Sequence, residues 1–202
     1  MSSVQVSGNA SGTGVLTIAS PNTNSSYTAT LPAATGTLYI PGSATTIQSG
    51  SSITLTNQTA PDFTSIPSWV KRITLMFQNV SASSTGVPLI QLGTGSTTYT
   101  TSGYVCTSTR LQDSTAVSVG SSTSGFQIQS AAAATTLSGS MVITNLTSNV
   151  WTVQGALSNT TTTNYVFITA GHVSLGVALT AVRLYIDGTQ FFDGGSINIL
   201  YE

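Results

Sequence analysis

The chain has 202 residues, room for one large β domain with a short appendage. Only 4% of them are charged, against about 25% in an average soluble protein, and the formal net charge is −1. Four Lys and Arg cannot build the basic surface of a nucleic-acid binder, one Glu cannot flank a coiled coil, and 40% hydrophobic residues argue against disorder.

Ser and Thr make up about a third of the chain, so its surface is wetted by hydroxyls and amides rather than by ions. In residues 1–50 three short runs read as strands: Val15-Leu-Thr-Ile, Tyr27-Thr-Ala-Thr-Leu and Thr37-Leu-Tyr-Ile. Gly, Pro or Asn punctuates each of them. The segment is too poor in large apolar side chains to build its own core. Val15, Leu16, Ile18, Tyr27, Leu31, Leu38 and Tyr39 are therefore expected to pack against other chains, by docking or by wrapping. Residues 44–52, rich in Ser, Thr and Gly, read as a linker. The start lacks the basic and apolar regions of a secretory signal, which predicts synthesis in the cytoplasm.

From Ile53 the period-two signal sharpens. Ile73, Leu75 and Phe77 fall on one face of a strand, with Thr74 and Gln78 on the other. Further strands are predicted at 87–92, 98–107, 126–128, 140–146, 150–157, 164–173, 179–186 and 196–201. Val182, Leu184 and Ile186 share one face, with Arg183 and Tyr185 opposite. Ser83-Ser-Thr-Gly and Gly120-Ser-Ser-Thr-Ser-Gly read as turns, and residues 131–134 as at most one turn of helix. The fold class predicted is all-β: a jelly-roll-like antiparallel β-sandwich over residues 51–202, preceded by an extended β-rich amino-terminal segment over residues 1–50. The most apolar window, residues 166–182, is broken by Gly171, His172, Ser174 and Gly176 and is too short to span a bilayer, so no membrane insertion is expected.

Groups able to transfer protons are few. Asp187-Gly188 and Asp193-Gly194-Gly195 read as turn dipeptides rather than as a glycosidase pair or a calcium loop. His172 lies in an apolar run and reads as a hydrogen-bonded structural residue; no nucleophile elbow, phosphate loop or dinucleotide turn accompanies it. Cys106 is the single cysteine, which precludes an intrachain disulfide and a zinc-binding cysteine cluster. Arg110 and Asp113 lie close enough in sequence to pair. No catalytic residue, metal site or cofactor is predicted. The aromatic residues near turns, Tyr99, Tyr104 and Trp151, are the candidates for contact with a sugar ring, whose apolar C–H face suits a flat amphipathic side chain. Packing on a strand face is the competing role for all three. A surface so nearly neutral also invites self-association, which a defined oligomer would resolve by consuming the flat faces and strand edges.

Gly12-Thr-Gly-Val-Leu-Thr-Ile and Tyr27-Thr-Ala-Thr-Leu-Pro-Ala-Ala-Thr-Gly-Thr-Leu resemble a segment common in tailed-bacteriophage fibre and appendage proteins. Ile73-Thr-Leu-Met-Phe-Gln-Asn-Val-Ser, Ile90-Gln-Leu-Gly, Thr101-Ser-Gly-Tyr and the closing Phe192-Asp-Gly-Gly-Ser-Ile-Asn-Ile-Leu-Tyr-Glu resemble a carboxy-terminal phage domain. The resemblance implies a virion-surface structural protein with a β-sandwich tip, arranged as a homotrimer and bringing no catalytic residues. Residues 1–50 would attach to another virion protein, and the tip would adhere to host-surface polysaccharide. A capsid-decorating or head-fibre protein that stabilises the particle is the alternative. A glycan-degrading depolymerase, from a different class, is disfavoured by the shortage of carboxylates.

Overall fold

A computed structural model describes residues 24, 26, 47–112, 117–129, 133, 135–159 and 164–202. The chain divides into two compact units, Met1–Leu38 and Tyr39–Glu202. In the first, the described residues are Asn24 and Ser26, both exposed. The second is all-β, and its strands pair antiparallel in two sheets.

In chain order the strands are β1 (Gln48–Ser49), β2 (Ile53–Thr54), β3 (Asp62–Phe63), β4 (Arg72–Ala82), β5 (Leu89–Gly93), β6 (Val105–Gln112) and β7 (Ser118–Ser122). They continue with β8 (Phe126–Gln127), β9 (Leu137–Thr147), β10 (Val150–Asn159), β11 (Tyr165–Ser174), β12 (Ala181–Tyr185) and β13 (Phe192–Tyr201). The larger sheet runs β1-β13-β4-β9-β10-β11-β6-β7, with β2 also on β13; the smaller runs β3-β12-β5-β8. The sandwich predicted from alternation is present, with its strands divided nine to four.

Alternation decides which side chains enter the core. Ile73, Leu75 and Phe77 of β4 turn inward with Met141 and Ile143 of β9 and Ile197 and Ile199 of β13. Ile90, Leu92, Phe126, Val182 and Leu184 of the smaller sheet meet them in one continuous cluster. Burying a side chain of this size contributes roughly 1.5–3 kcal/mol.

Two polar ties cross the core. The backbone N–H of Gln127 donates to the Cys106 sulfur at 3.2 Å, and the Thr169 hydroxyl donates to the Gln127 carbonyl at 2.8 Å. β8 is an edge strand, and these side chains from β6 and β11 take up backbone groups that its sheet leaves unpaired.

Three sequence expectations are corrected. Asp193-Gly194-Gly195 is not a turn: it lies within β13, where register shifts mark a bulge against β4. On β4 the extra residue falls between Phe77 and Val80, with Asn79 at φ 50° and its N–H donating to the Ser138 hydroxyl at 3.0 Å. Gly120-Ser-Ser, expected as a turn, is the end of β7, paired with β6. Ser49, expected in a linker, pairs with Leu200.

Candidate functional site

The smaller sheet covers the core with one face and presents the other outward. In β12, Val182 and Leu184 enter the core while Arg183 and Tyr185 point away, as their alternation predicts. Arg183 stands opposite Asp62 on one neighbouring strand and Gln91 on the other. The segment after β5 folds back, with the Thr100 N–H donating to the Leu92 carbonyl at 2.9 Å. This lays Tyr99 over the sheet, where Gly93 gives it room: a Cβ at that position would lie 3.0 Å from the Tyr99 ring.

The result is a fixed guanidinium. Arg183 Cζ sits 4.1 Å from the centre of the Tyr99 ring and 4.9 Å from that of Tyr185. Arg183 Nε donates to Gln91 Oε1 at 2.8 Å, and Gln91 Nε2 donates to the Ser124 carbonyl at 2.7 Å. Gln91 is only 2% exposed, so it is a rigid anchor. The Tyr99 hydroxyl donates to Asp62 Oδ2 at 2.6 Å. Burial pushes the Tyr99 pKa up, and the hydrogen bond to Asp62 and the Asp62 charge add to the rise, with the Arg183 charge opposing it. The terminal nitrogens of Arg183 reach solvent and meet no acceptor among the described residues.

A cleft lies at each end of this face. At the β3 end, residues 57–62 line a space of about 470 Å³ that includes Asp62. At the β8 end, Leu89, Ser121, Ser122, Ser124, Gln127 and Asp187 help line one of about 440 Å³. Ring faces, a cation and a carboxylate thus share one surface, bordered at the β8 end by a hollow lined with hydroxyls, and such a surface can stack on a sugar ring and exchange hydrogen bonds with its hydroxyls.

Of the aromatic candidates, Tyr99 alone belongs to this surface. Tyr104 is 1% exposed, stands edge-on to Phe126 with ring centres 4.9 Å apart, and accepts the Leu92 N–H at 2.8 Å. Trp151 is 4% exposed, facing the core from β10, and its indole N–H finds no acceptor among the described residues. Neither offers a ring to a ligand; the inward phase of strand or loop decided both, and nearness to a turn did not. Arg183, Tyr185, Gln91 and Asp62 were not among the predicted contacts. The signal that could have found the first two was their shared outward phase opposite an apolar strand face.

Burial pushes the Tyr104 pKa up to about 12, against a smaller lowering by its hydrogen bond with Leu92 and by the Arg183 charge. In the unfolded chain the same group ionises near 10. Between these values the unfolded state has lost a proton that the folded state keeps, so stability falls as pH rises through the window. The loss is on the order of 2–3 kcal/mol at its upper end. Urea unfolding at neutral and at alkaline pH should show this fall, reduced in Tyr104→Phe and completed by a share from Tyr99. At neutral pH the same variant leaves the Leu92 N–H without its partner, at a cost of about 1–3 kcal/mol.

The remaining candidates are dispersed. Asp187 accepts the Gly188 N–H at 2.7 Å, and Asp193 accepts the Ser81 hydroxyl at 2.5 Å. His172, expected within the structure, is exposed on the outer face of β11. Cys106 is buried, and burial raises its thiol pKa against the opposing hydrogen bond from Gln127. Asp113 and the seven attachment candidates Val15, Leu16, Ile18, Tyr27, Leu31, Leu38 and Tyr39 lie outside the described residues. Among the described residues no three of His, Cys, Asp or Glu gather as a metal site would require, and no helix is long and apolar enough to cross a membrane.

Comparison with known proteins finds no matching family model, no matching characterised protein and no matching solved structure.

Proposed function

We propose that the chain is a fibre-like virion surface protein of a tailed bacteriophage, and that the outer face of its smaller sheet adheres to host-surface glycan. One observation carries the reading: Arg183 is held by Gln91 and by two tyrosine rings, yet its terminal nitrogens are left for something outside the chain. A side chain ordered in advance loses less entropy on binding, and weak single contacts add up when many copies share a particle.

The other outer face has a different character. Val105, Leu111, Val119, Val166 and Ile168 are all at least 40% exposed on β6, β7 and β11. Val166 stands opposite Leu111, and both Val119 and Ile168 stand opposite Thr109. This flat apolar stripe supports a contact between subunits, and a homotrimer would use it. It also favours the second reading, in which the protein decorates and stabilises a capsid.

Labelled protein incubated with a broad panel of bacterial strains tests the proposal. Strain-selective binding that falls at least tenfold in Arg183→Gln is expected. Binding to no strain would sink the adhesin and leave the decoration protein.

A further inference from the structure

We infer that Arg183 is the receptor for a carboxylate, so that the glycan held by this face carries an isolated uronic acid unit among neutral sugars. The inference rests on the adhesion reading and narrows its ligand.

The four cations of the chain are used differently. Arg72 is ion-paired with Glu202, Lys71 donates to Asn145 Oδ1 at 3.4 Å, and Arg110 lies 5.1 Å from the centre of the Tyr165 ring. Arg183 is the one whose inner nitrogen is locked while its outer fork stays open to solvent. Its natural neutraliser is Asp62, directly across the strand pair, yet no ion pair joins them. Asp62 is instead taken by the Tyr99 hydroxyl, and Asp187 takes the Gly188 N–H. A planar guanidinium with two parallel donors and no ion-paired acid matches a carboxylate, which it can bind through two hydrogen bonds at once.

The surroundings select a sugar acid over an acidic protein segment. A run of Asp and Glu would require several cations, and this face supplies one. A uronic acid ring brings one carboxylate, an apolar face suited to tyrosine rings, and hydroxyls suited to the Ser- and Gln-lined cleft at the β8 end. Arg183 marks where the carboxylate sits, and the cleft, which holds Asp187 and no cation, takes the neutral units of the chain.

The test measures binding of the protein to neutral hexose oligosaccharides that carry a single galacturonic, glucuronic or mannuronic acid unit, to their methyl esters and to the same oligosaccharides without the acid. At least one acid oligosaccharide should bind, with its ester at least tenfold weaker. Arg183→Gln should lose the acid by at least tenfold. Arg183→Lys keeps the charge but not the fork, and should retain part of the affinity while its fold, read by circular dichroism, stays intact. Equal binding of ester and acid, or binding of neutral sugars alone, would overturn the acidic ligand while leaving an Arg183-dependent adhesin standing. Binding of no sugar together with cell attachment indifferent to Arg183→Gln would overturn both the ligand and the site.

Discussion

Phe126→Ala should lower the unfolding free energy by about 3–5 kcal/mol, a large part of the roughly 5–15 kcal/mol that holds a domain folded. Phe126 is fully buried, stands opposite Ile90 in the β5–β8 pair and presses edge-on against Tyr104. Its removal forfeits the transfer energy of the ring and opens a cavity that cannot collapse, because the strand around it is pinned. Gln127, the next residue, is tied to Cys106 and Thr169 of the opposite sheet through its own backbone. Urea denaturation should show a lower midpoint with an unchanged slope, as expected when the native state is weakened and not expanded. Leu146→Ala, at a side chain 68% exposed, should shift the midpoint by less than about 0.5 kcal/mol in free energy. A loss below about 1 kcal/mol for Phe126→Ala would mean that the two sheets do not meet at this ring.

Gly195→Ala should cost roughly 2–5 kcal/mol, from two causes that can be separated. The residue sits at φ +84°, and an added methyl would lie 2.4 Å from both the Gln78 and the Asn79 carbonyl oxygens. Backbone strain comes from the first fact and a backbone clash from the second. Gly188 has φ +76° with nothing within 4 Å of an added Cβ, so Gly188→Ala reports the strain by itself, about 1 kcal/mol. Gly176, with open space and no positive φ, supplies the baseline. Thermal unfolding of the three variants should therefore rank Gly195 far below Gly188, and Gly188 slightly below Gly176. Similar melting of the Gly195 and Gly188 variants would show that the bulge between β4 and β13 can open at little cost.

Much of the architecture was legible because alternation reports burial directly. Ile73, Leu75 and Phe77, and likewise Val182 and Leu184, could be assigned to the core from spacing alone, and the structure puts them there. β7 was not legible: Ser, Val and Gly in Ser118–Ser122 carry no strong β signal, and the strand exists because β6 offers it a paired edge. The bulge was hidden for a related reason, since Asp-Gly-Gly spells a turn unless the neighbouring strands take it up as a bulge. At the candidate site, Tyr99 and Arg183 are joined only by the meeting of the segment after β5 with β12, a contact no local pattern announces. Tyr104 and Trp151 show the opposite failure. An aromatic residue carries the same identity on either side of a sheet, and only the phase of its own segment separates a lid from a core.

The outward positions of β10, β11, β6 and β7, from Thr152 and Gln154 across Val166 and Ile168 to Val105 and Val119, include no ionisable group but His172. Apart from His172, a contact made there offers nothing for dissolved electrolyte to screen, whereas a contact made through Arg183 weakens as the Debye length shrinks toward about 3 Å at 1 M. Ionic strength thus becomes a control with one target: brine would spare a contact made on the apolar stripe and weaken one made through Arg183.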